Sequence, residues 1–447
     1  MAENPGLSNE EDQRQLEYLL KQLADKDKQL KEEAEARKEA EDAQKRAEAE
    51  TWPTTFEELL RYSNELLSRQ LLVGTRAEST RGTIAARREK LCPEELCHWS
   101  DFPREMTKIF DDVCRFLKPA DKAAPRLFHS SANLNGLSKY VVAEPLRSEA
   151  DFNMYEYMAV VQPVVGIIQE LSKFDDARVQ FQLPNGVRFH ANHAGALETK
   201  EGVGDDQSGT RPWPDLYCFH RTDDNAECLL TTVELKPPHK LDVQCLRAGL
   251  RDMDFVEEVV MKDTIPTDED GKTRSTAETR TGVTLAQEYN VMIEEGVEFS
   301  YISNGFAYVF LHVPKNEFWK LYYFICEPNV DVNQESDEIE IEKTSIARVL
   351  CFCLMCCRST VRDQKWRNEA KKSLRTWGEH LDGMWAKISS PDAPRTPSSS
   401  DHQSSESEYL PSSPPSERVA GGPSRHGEPL QASGGIPSSA TPRRQFQ

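Results

Sequence analysis

Trp213-Pro-Asp-Leu-Tyr-Cys-Phe-His220 and Cys228-Leu-Leu-Thr-Thr-Val-Glu-Leu-Lys-Pro-Pro-His-Lys240, separated by a polar turn, read as a β-hairpin that gathers two carboxylates and a lysine. Pro214 can open the first strand but cannot sit inside a central one, because it lacks a ladder donor. Leu216, Tyr217, Cys218 and Phe219 suit a strand. Asp223-Asp224-Asn225 is turn chemistry, since Asx side chains tolerate left-handed dihedrals and bond locally to the backbone. The second strand runs from Cys228 to Lys236 and stops at Pro237-Pro238. With the turn centred between Asp224 and Asn225, Phe219 faces Leu230, Leu216 faces Val233 and Asp215 lands opposite Glu234. Side chains alternate along a strand. Asp215, Glu234 and Lys236 therefore converge on one face with Phe219 and Leu230, and Leu216, Val233 and Leu235 fill the core face. A slip of one residue would undo the convergence.

Two carboxylates at that separation suit a hard divalent cation, most simply Mg²⁺, which takes oxygen ligands and is often held by one or two carboxylates plus substrate phosphates. Such a metal polarises a phosphoryl oxygen and acidifies water. Lys236 is placed to position that water or to neutralise developing charge. The ordinary alternative is a surface hairpin with a solvated ion pair, because short motifs often match by accident. Pro214-Asp215 followed by Glu234-Leu235-Lys236 resembles the signature of the PD-(D/E)XK nuclease superfamily. From about Trp52 to Ile388 the chain is similar to a group of uncharacterised fungal proteins in which a nuclease-like domain often precedes a kinase-like one. Trp99-Ser-Asp-Phe-Pro103, Glu234-Leu-Lys-Pro-Pro-His-Lys-Leu241 and the helix around Gln287 and Tyr289 carry that resemblance. It implies an α/β fold with a restriction-endonuclease-like αβββαβ core and helical N- and C-terminal additions. It further implies Asp215 and Glu234 as metal ligands, with the Leu235 carbonyl as a third, and Lys236 as the catalytic lysine.

The chain has 447 residues, 29% of them charged, with a net charge of −20. That length allows one or two domains with sizeable cores. The acidic balance argues against a protein that coats nucleic acid through its overall field. A nuclease with a local basic patch stays compatible, and residues 76–90, with Arg76, Arg81, Arg87, Arg88 and Lys90, are the best candidate for phosphate contacts. Eleven cysteines lack paired spacing, and no apolar signal segment precedes them. Reduced thiols in an intracellular protein, nuclear or cytoplasmic, are expected. No run reaches membrane-spanning length; Val349 to Cys357 is too short.

Five regions are expected. Residues 1–51 form a charged helical arm or coiled coil, in which Leu16, Leu19, Leu23 and Leu30 hint at a seam for self-association. Residues 52–147 form a helical region, opened by a capping box at Thr54/Glu57 or Thr55/Glu58 and holding a helix over Phe102–Leu117. Residues 148–330 hold the nuclease-like core, 331–388 hold helices, and 389–447 are a Ser/Pro-rich tail without apolar periodicity, expected to be disordered.

Within the core, Ser148 caps a helix to about Leu171 that Pro163 kinks or divides. In the nuclease superfamily that helix often carries an accessory acid; Glu149 and Glu156 are the candidates, and the sequence does not choose between them. Arg178–Leu183 and Val187–His193 read as strands around Pro184-Asn185-Gly186. A helix is expected over Leu241–Val260, a loop over 263–283, then a short helix with Leu285, Tyr289 and Met292 that ends at Gly296. Gln287 on it is a further accessory candidate. Strands follow at Glu298–Ser303, Phe306–Val313 and Lys320–Cys326, with Asn304-Gly305 as a hairpin turn. Ser345–Cys357 is an apolar helix with buried free cysteines, and Trp366 to Trp385 continues as an amphipathic one.

Glycine-rich phosphate loops, His-Arg-Asp, Asp-Phe-Gly, Gly-x-Ser-x-Gly and His-Glu-x-x-His are missing from the sequence. The expectation is a Mg²⁺-dependent nuclease acting on DNA or RNA phosphodiesters, with no membrane association. The alternative is an inactive nuclease-derived interaction module.

Overall fold

In the computed structural model, residues 6–75, 78–79, 90–183, 185–191, 214–221, 227–261, 266, 268–332 and 339–377 are described. The expected Asp223-Asp224-Asn225 turn, His193, most of the basic stretch before Lys90 and the tail lie outside them.

The arm rich in helix formers is a single helix, α1 (Gly6–Thr51). Leu16, Leu19, Leu20, Leu23 and Leu30 on it are each more than half exposed. Next, α2 (Phe56–Ser63) begins with the Thr55/Glu58 capping box, one of the two the sequence allowed. Two short strands, β1 (Lys90–Leu91) and β2 (Glu95–His98), interrupt a stretch expected to be helical. Three helices follow: α3 (Phe102–Leu117), α4 (Ser131–Ala143) and α5 (Glu149–Glu156), the last capped by Ser148 and Asp151. A π-helical turn over Tyr157–Val161 joins α5 to α6 (Gln162–Leu171), and Pro163 follows directly. Widening the ladder there accommodates a ring that would clash in a regular helix.

Arg178–Leu183 does not form the expected strand. It belongs largely to α7 (Asp175–Phe181), where Asp175 and Asp176 suit the first turn and Ala177 and Phe181 face the core one turn apart. Then come β3 (Val187–His190), β4 (Leu216–Arg221) and β5 (Glu227–Leu235). Leu216 pairs with Val233 as the hairpin reading requires, but a bulge after Cys218 shifts the ladder, so Phe219 faces Leu229 rather than Leu230. The extra residue lets Leu230 join the core cluster that holds Leu216, Val233 and Leu235.

The expected helix over Leu241–Val260 is broken into α8 (Val243–Gly249), β6 (Met253–Asp254) and a π-helical turn over Val256–Val260. Conversely, the expected loop over 263–283 is mostly the first half of α9 (Glu269–Glu295), capped by Asp268 and closed by Gly296 at φ 72°. The buried side of that half consists of Ser275, Ala277, Glu278, Thr281 and Gly282 rather than large apolar residues. The small side chains among them let α8 approach: a Cβ added to Gly249 would lie 2.5 Å from the Thr281 Cβ.

Strands β7 (Phe299–Ser303), β8 (Tyr308–His312) and β9 (Lys320–Cys326) lie where expected. Asn304 folds the first hairpin, its Oδ1 accepting from the N–H groups of Phe306 and Ala307, while Gly305 takes φ 83°. The last elements are α10 (Pro328–Asp331), α11 (Ser345–Cys356), α12 (Gln364–Ser373) and β10 (Thr376–Trp377). Helix α12 ends at Ser373, because Thr376–Trp377 is drawn into pairing with β1, and the remainder of the expected amphipathic helix to Trp385 lies outside the described residues.

The architecture is mixed α/β. Among the described residues, eight strands form one sheet in the order β3-β4-β5-β7-β8-β9-β2-β6. The β5–β7 and β2–β9 pairs are parallel and the others antiparallel. One face carries Leu216, Val233, Leu235, Tyr301 and Phe310, covered by α2, α3, α6 and α11. The other carries Ile302, Val309 and Leu311, covered by α8, α9 and α12. Among the described residues, no helix is long and apolar enough to cross a membrane.

Candidate active site

Asp215 sits just before β4. Its N–H donates to the Val233 carbonyl at 3.0 Å, and its Oδ2 accepts from the Leu235 N–H at 2.7 Å. The side chain is therefore tied across the hairpin to the backbone between Glu234 and Lys236. Glu234 is 1% exposed, on the sheet face that α9 covers. Its Oε1 accepts from both Lys236 Nζ and Gln287 Nε2. Its Oε2 is equally buried and has no hydrogen-bond partner. Lys236 follows the last residue of β5, and its N–H is fixed by the Ser303 carbonyl at 2.9 Å. The structure thus brings together the three side chains singled out from the sequence, with Gln287 of α9, one of the accessory candidates, beside them.

Charge and burial oppose one another here. Burial, followed by the Glu234 charge, pushes the Asp215 carboxyl up to about 7. For Lys236, burial acts to lower the ammonium, but the charges of Glu234 and Asp215 outweigh it and the net shift is upward. The lysine stays charged between two acids.

Glu149 and Glu156 part company. Glu149, at the start of α5, accepts from Lys240 Nζ at 2.6 Å. Burial acts to raise its carboxyl, yet Lys240 first, then Lys236 and His239, hold it below the usual range. Glu156, two turns on, is fully buried and accepts from the Tyr308 hydroxyl at 3.3 Å. Tyr308 pairs with Ser303, which pairs with Leu235. Glu156 therefore lies on the Leu235 face of the sheet, away from Glu234. Burial pushes its carboxyl up to about 8.

Two site residues escaped the sequence reading in their present roles. Lys90 Nζ, from β1, reaches Gln287 Oε1 at 3.2 Å. The sequence marked it only as one of several cations in a basic stretch. Glu288, beside Gln287, is fully buried beneath the site, its Oε1 accepting from the hydroxyls of Thr232, at 2.6 Å, and Ser300. Burial and the nearby Glu234 charge raise its carboxyl. Its only sequence signal is two hydroxyl residues, Thr232 and Ser300, at positions that pair across β5 and β7.

Donor chemistry fits a hard cation. Two carboxylates are present, and Glu234 Oε2 lacks the partner that a buried carboxylate oxygen ordinarily has, as do Glu288 Oε2 beneath the site and Glu156 Oε1 on the other face of the sheet. Among the described residues, no group of three or more His, Cys, Asp or Glu side chains assembles for a metal. A zinc-type cage needs such a group, whereas a two-carboxylate Mg²⁺ site draws further ligands from water and phosphate.

Comparison with known proteins finds a family profile and a curated relative among those that resemble the chain. The profile of a family described as the Spore killer 2 N-terminal domain matches residues 210–378, a stretch that contains the hairpin, α9 and β10. The meiotic driver SPOK2 of Podospora anserina is 24% identical over 363 residues, which is 73% of this chain and 46% of that protein. The chain therefore spans about half the length of that relative. No solved structure matches the chain.

Proposed function

We propose that the mixed-sheet unit is a Mg²⁺-dependent nuclease of the PD-(D/E)XK kind, hydrolysing phosphodiester bonds of DNA or RNA. One observation carries the reading. A buried carboxylate oxygen, Glu234 Oε2, has no partner, in a site where Asp215 and the Lys236 ammonium also meet. Glu156 and Glu288 also leave one oxygen unpartnered, but burial raises their carboxyls, whereas a closed structural ion pair would satisfy both oxygens of Glu234. The succession of elements supports the core: a helix, the antiparallel β3-β4-β5 meander, the helix α9, and β7 parallel to β5. The likeness to SPOK2, a meiotic driver by name, supports a part for this chain in meiotic drive.

In this reading Asp215, Glu234 and the Leu235 carbonyl would hold Mg²⁺, which when bound would supply Lewis-acid polarisation of the phosphate. Lys236 sits between the two acids and offers its charge to the phosphoryl oxygens as negative charge builds there. Glu149, held ionised by Lys240, adds a third negative group at the rim and orders the adjoining turn.

Purified protein incubated with single- and double-stranded DNA and RNA tests the proposal, with Mg²⁺ or with chelator. Metal-dependent cleavage that disappears in Asp215→Asn and Lys236→Ala, with both variants folded, is the expected result. Equal cleavage in wild type and variants would remove the mechanism. Absence of both cleavage and calorimetric Mg²⁺ or Mn²⁺ binding would leave the inactive interaction module as the better reading.

A further inference from the structure

Lys90 and Gln287 are 197 positions apart in sequence, yet they meet at the edge of the candidate site. Lys90 is only 9% exposed. Its strand, β1, is pinned from two sides. Lys90 pairs with Trp377 and Leu91 with Thr376 of β10. The Leu91 N–H donates to Asn290 Oδ1 on α9 at 3.0 Å. Trp377 is itself buried, with its ring edge-on to Phe255 at 6.0 Å. The lysine is thus delivered to α9 by a clamp built from two remote ends of the fold.

The chemistry of the amide makes that delivery consequential. A lysine ammonium can only donate, so it selects the oxygen end of the Gln287 amide. With Oε1 turned to Lys90, Nε2 must face the other way, and it donates to Glu234 Oε1. A flipped amide would set its oxygen against the Glu234 carboxylate and its NH₂ against the ammonium, two repulsive contacts in a buried place. Lys90 and the carboxylate therefore favour the same orientation of Gln287, and Lys90 anchors the amide from its far end. With Oε1 engaged by Gln287 and Lys236, the unpartnered Oε2 is the one left to receive a ligand.

We infer that Lys90 is a positioning residue of this site: through the Gln287 amide it holds Glu234 in the rotamer that presents Oε2. The inference rests on the nuclease reading for its consequence in activity, though not for its geometry. Lys90 acts through Gln287 rather than on substrate, so Lys90 and Gln287 should behave as one unit.

The test uses the full chain and four variants: Lys90→Met, Lys90→Arg, Gln287→Leu and the Lys90→Met/Gln287→Leu double. Cleavage of the best nucleic-acid substrate under Mg²⁺ gives kcat and KM, and calorimetry gives Mn²⁺ affinity. Groups that orient a metal ligand typically change activity or metal affinity by about 10–100-fold. Lys90→Met and Gln287→Leu are expected to lower kcat on that order, with KM little changed, and the double variant should be no worse than the worse single. Lys90→Arg, still a donor, should retain most of the activity. Losses that multiply in the double variant, or a raised KM with unchanged kcat, would overturn the inference; the second result would make Lys90 a phosphate contact instead. Should wild type neither cleave nor bind metal, the nuclease reading fails by itself. The positioning inference is then read from the Gln287 side-chain amide resonances of the metal-free protein. They should move in Lys90→Met and hold in Lys90→Arg; unchanged resonances in Lys90→Met would overturn it.

Discussion

Replacing Glu156 by glutamine should remove a pH dependence from the stability of the fold while leaving metal binding untouched. Glu156 is buried under the sheet with one oxygen accepting from Tyr308 and the other, Oε1, without a partner. Burial raises its carboxyl from 4.5 to about 8. The folded chain therefore keeps the proton over a range in which the unfolded chain has already released it. The stabilisation is complete below pH 4.5, where both states are protonated, and is lost as pH rises towards 8, where the native carboxyl also ionises. Each pH unit in that window is worth about 1.4 kcal/mol, so the whole window amounts to about 5 kcal/mol at most. Relaxation around a buried charge lowers this, and a wild-type-minus-variant difference that changes by roughly 2–5 kcal/mol is expected. Asp215 and Glu288 also have raised carboxyls, so wild type and variant share their slopes, and only the difference curve isolates Glu156. The assay is urea unfolding of metal-free wild type and Glu156→Gln at half-unit steps from pH 5 to 9, with Mn²⁺ calorimetry at pH 8. Parallel stability curves would mean that Glu156 is solvated and ionised in the native state. A large loss of metal affinity in the variant would mean that the sheet does not separate Glu156 from the carboxylate pair.

In metal-free protein, Asp215→Asn should flatten the stability lost as pH rises from 3.8 to about 7, because the native carboxyl holds its proton longer than the unfolded one; an unchanged pH profile in urea melts would contradict this. Glu149→Gln should weaken Mn²⁺ binding less than Glu234→Gln does, since Glu149 is half exposed and already paired with Lys240; equal losses by calorimetry would place Glu149 among the ligands. Gly305→Ala combines φ 83° with a Cβ 2.8 Å from Leu71 Cδ2 and 2.9 Å from Phe152 Cε2. It should cost about 1–3 kcal/mol in denaturant unfolding, and a shift within experimental error would show that the β7–β8 turn yields. Gly249→Ala, whose Cβ would meet Thr281 at 2.5 Å, should cost about 1–3 kcal/mol by forcing α8 from α9.

What could be read from sequence, and what could not, follows from how far each determinant acts along the chain. The hairpin was legible because alternation ties Glu234 and Lys236 to one face and Leu235 to the other, and Pro214 and Pro237 mark the ends. Its bulge was not, since Phe219 can face Leu229 or Leu230 with equal apolar contact; the choice is made when Leu230 finds the core. The first half of α9 was lost for a different reason. Periodicity detects large apolar residues, whereas a helix packed at close range buries Ser275, Ala277, Thr281 and Gly282, which look like a polar loop. The candidate site divides along the same line. Asp215, Glu234 and Lys236 are local to one hairpin and carry a motif. Glu149 and Glu156 occupy the same helix seven positions apart, and only the contacts with Lys240 and Tyr308 tell rim from core. Lys90 had to wait longest, because its meaning depends on β10 holding β1 against α9. A site acid can be announced by its neighbours in sequence, while the group that orients it enters from wherever the chain happens to close.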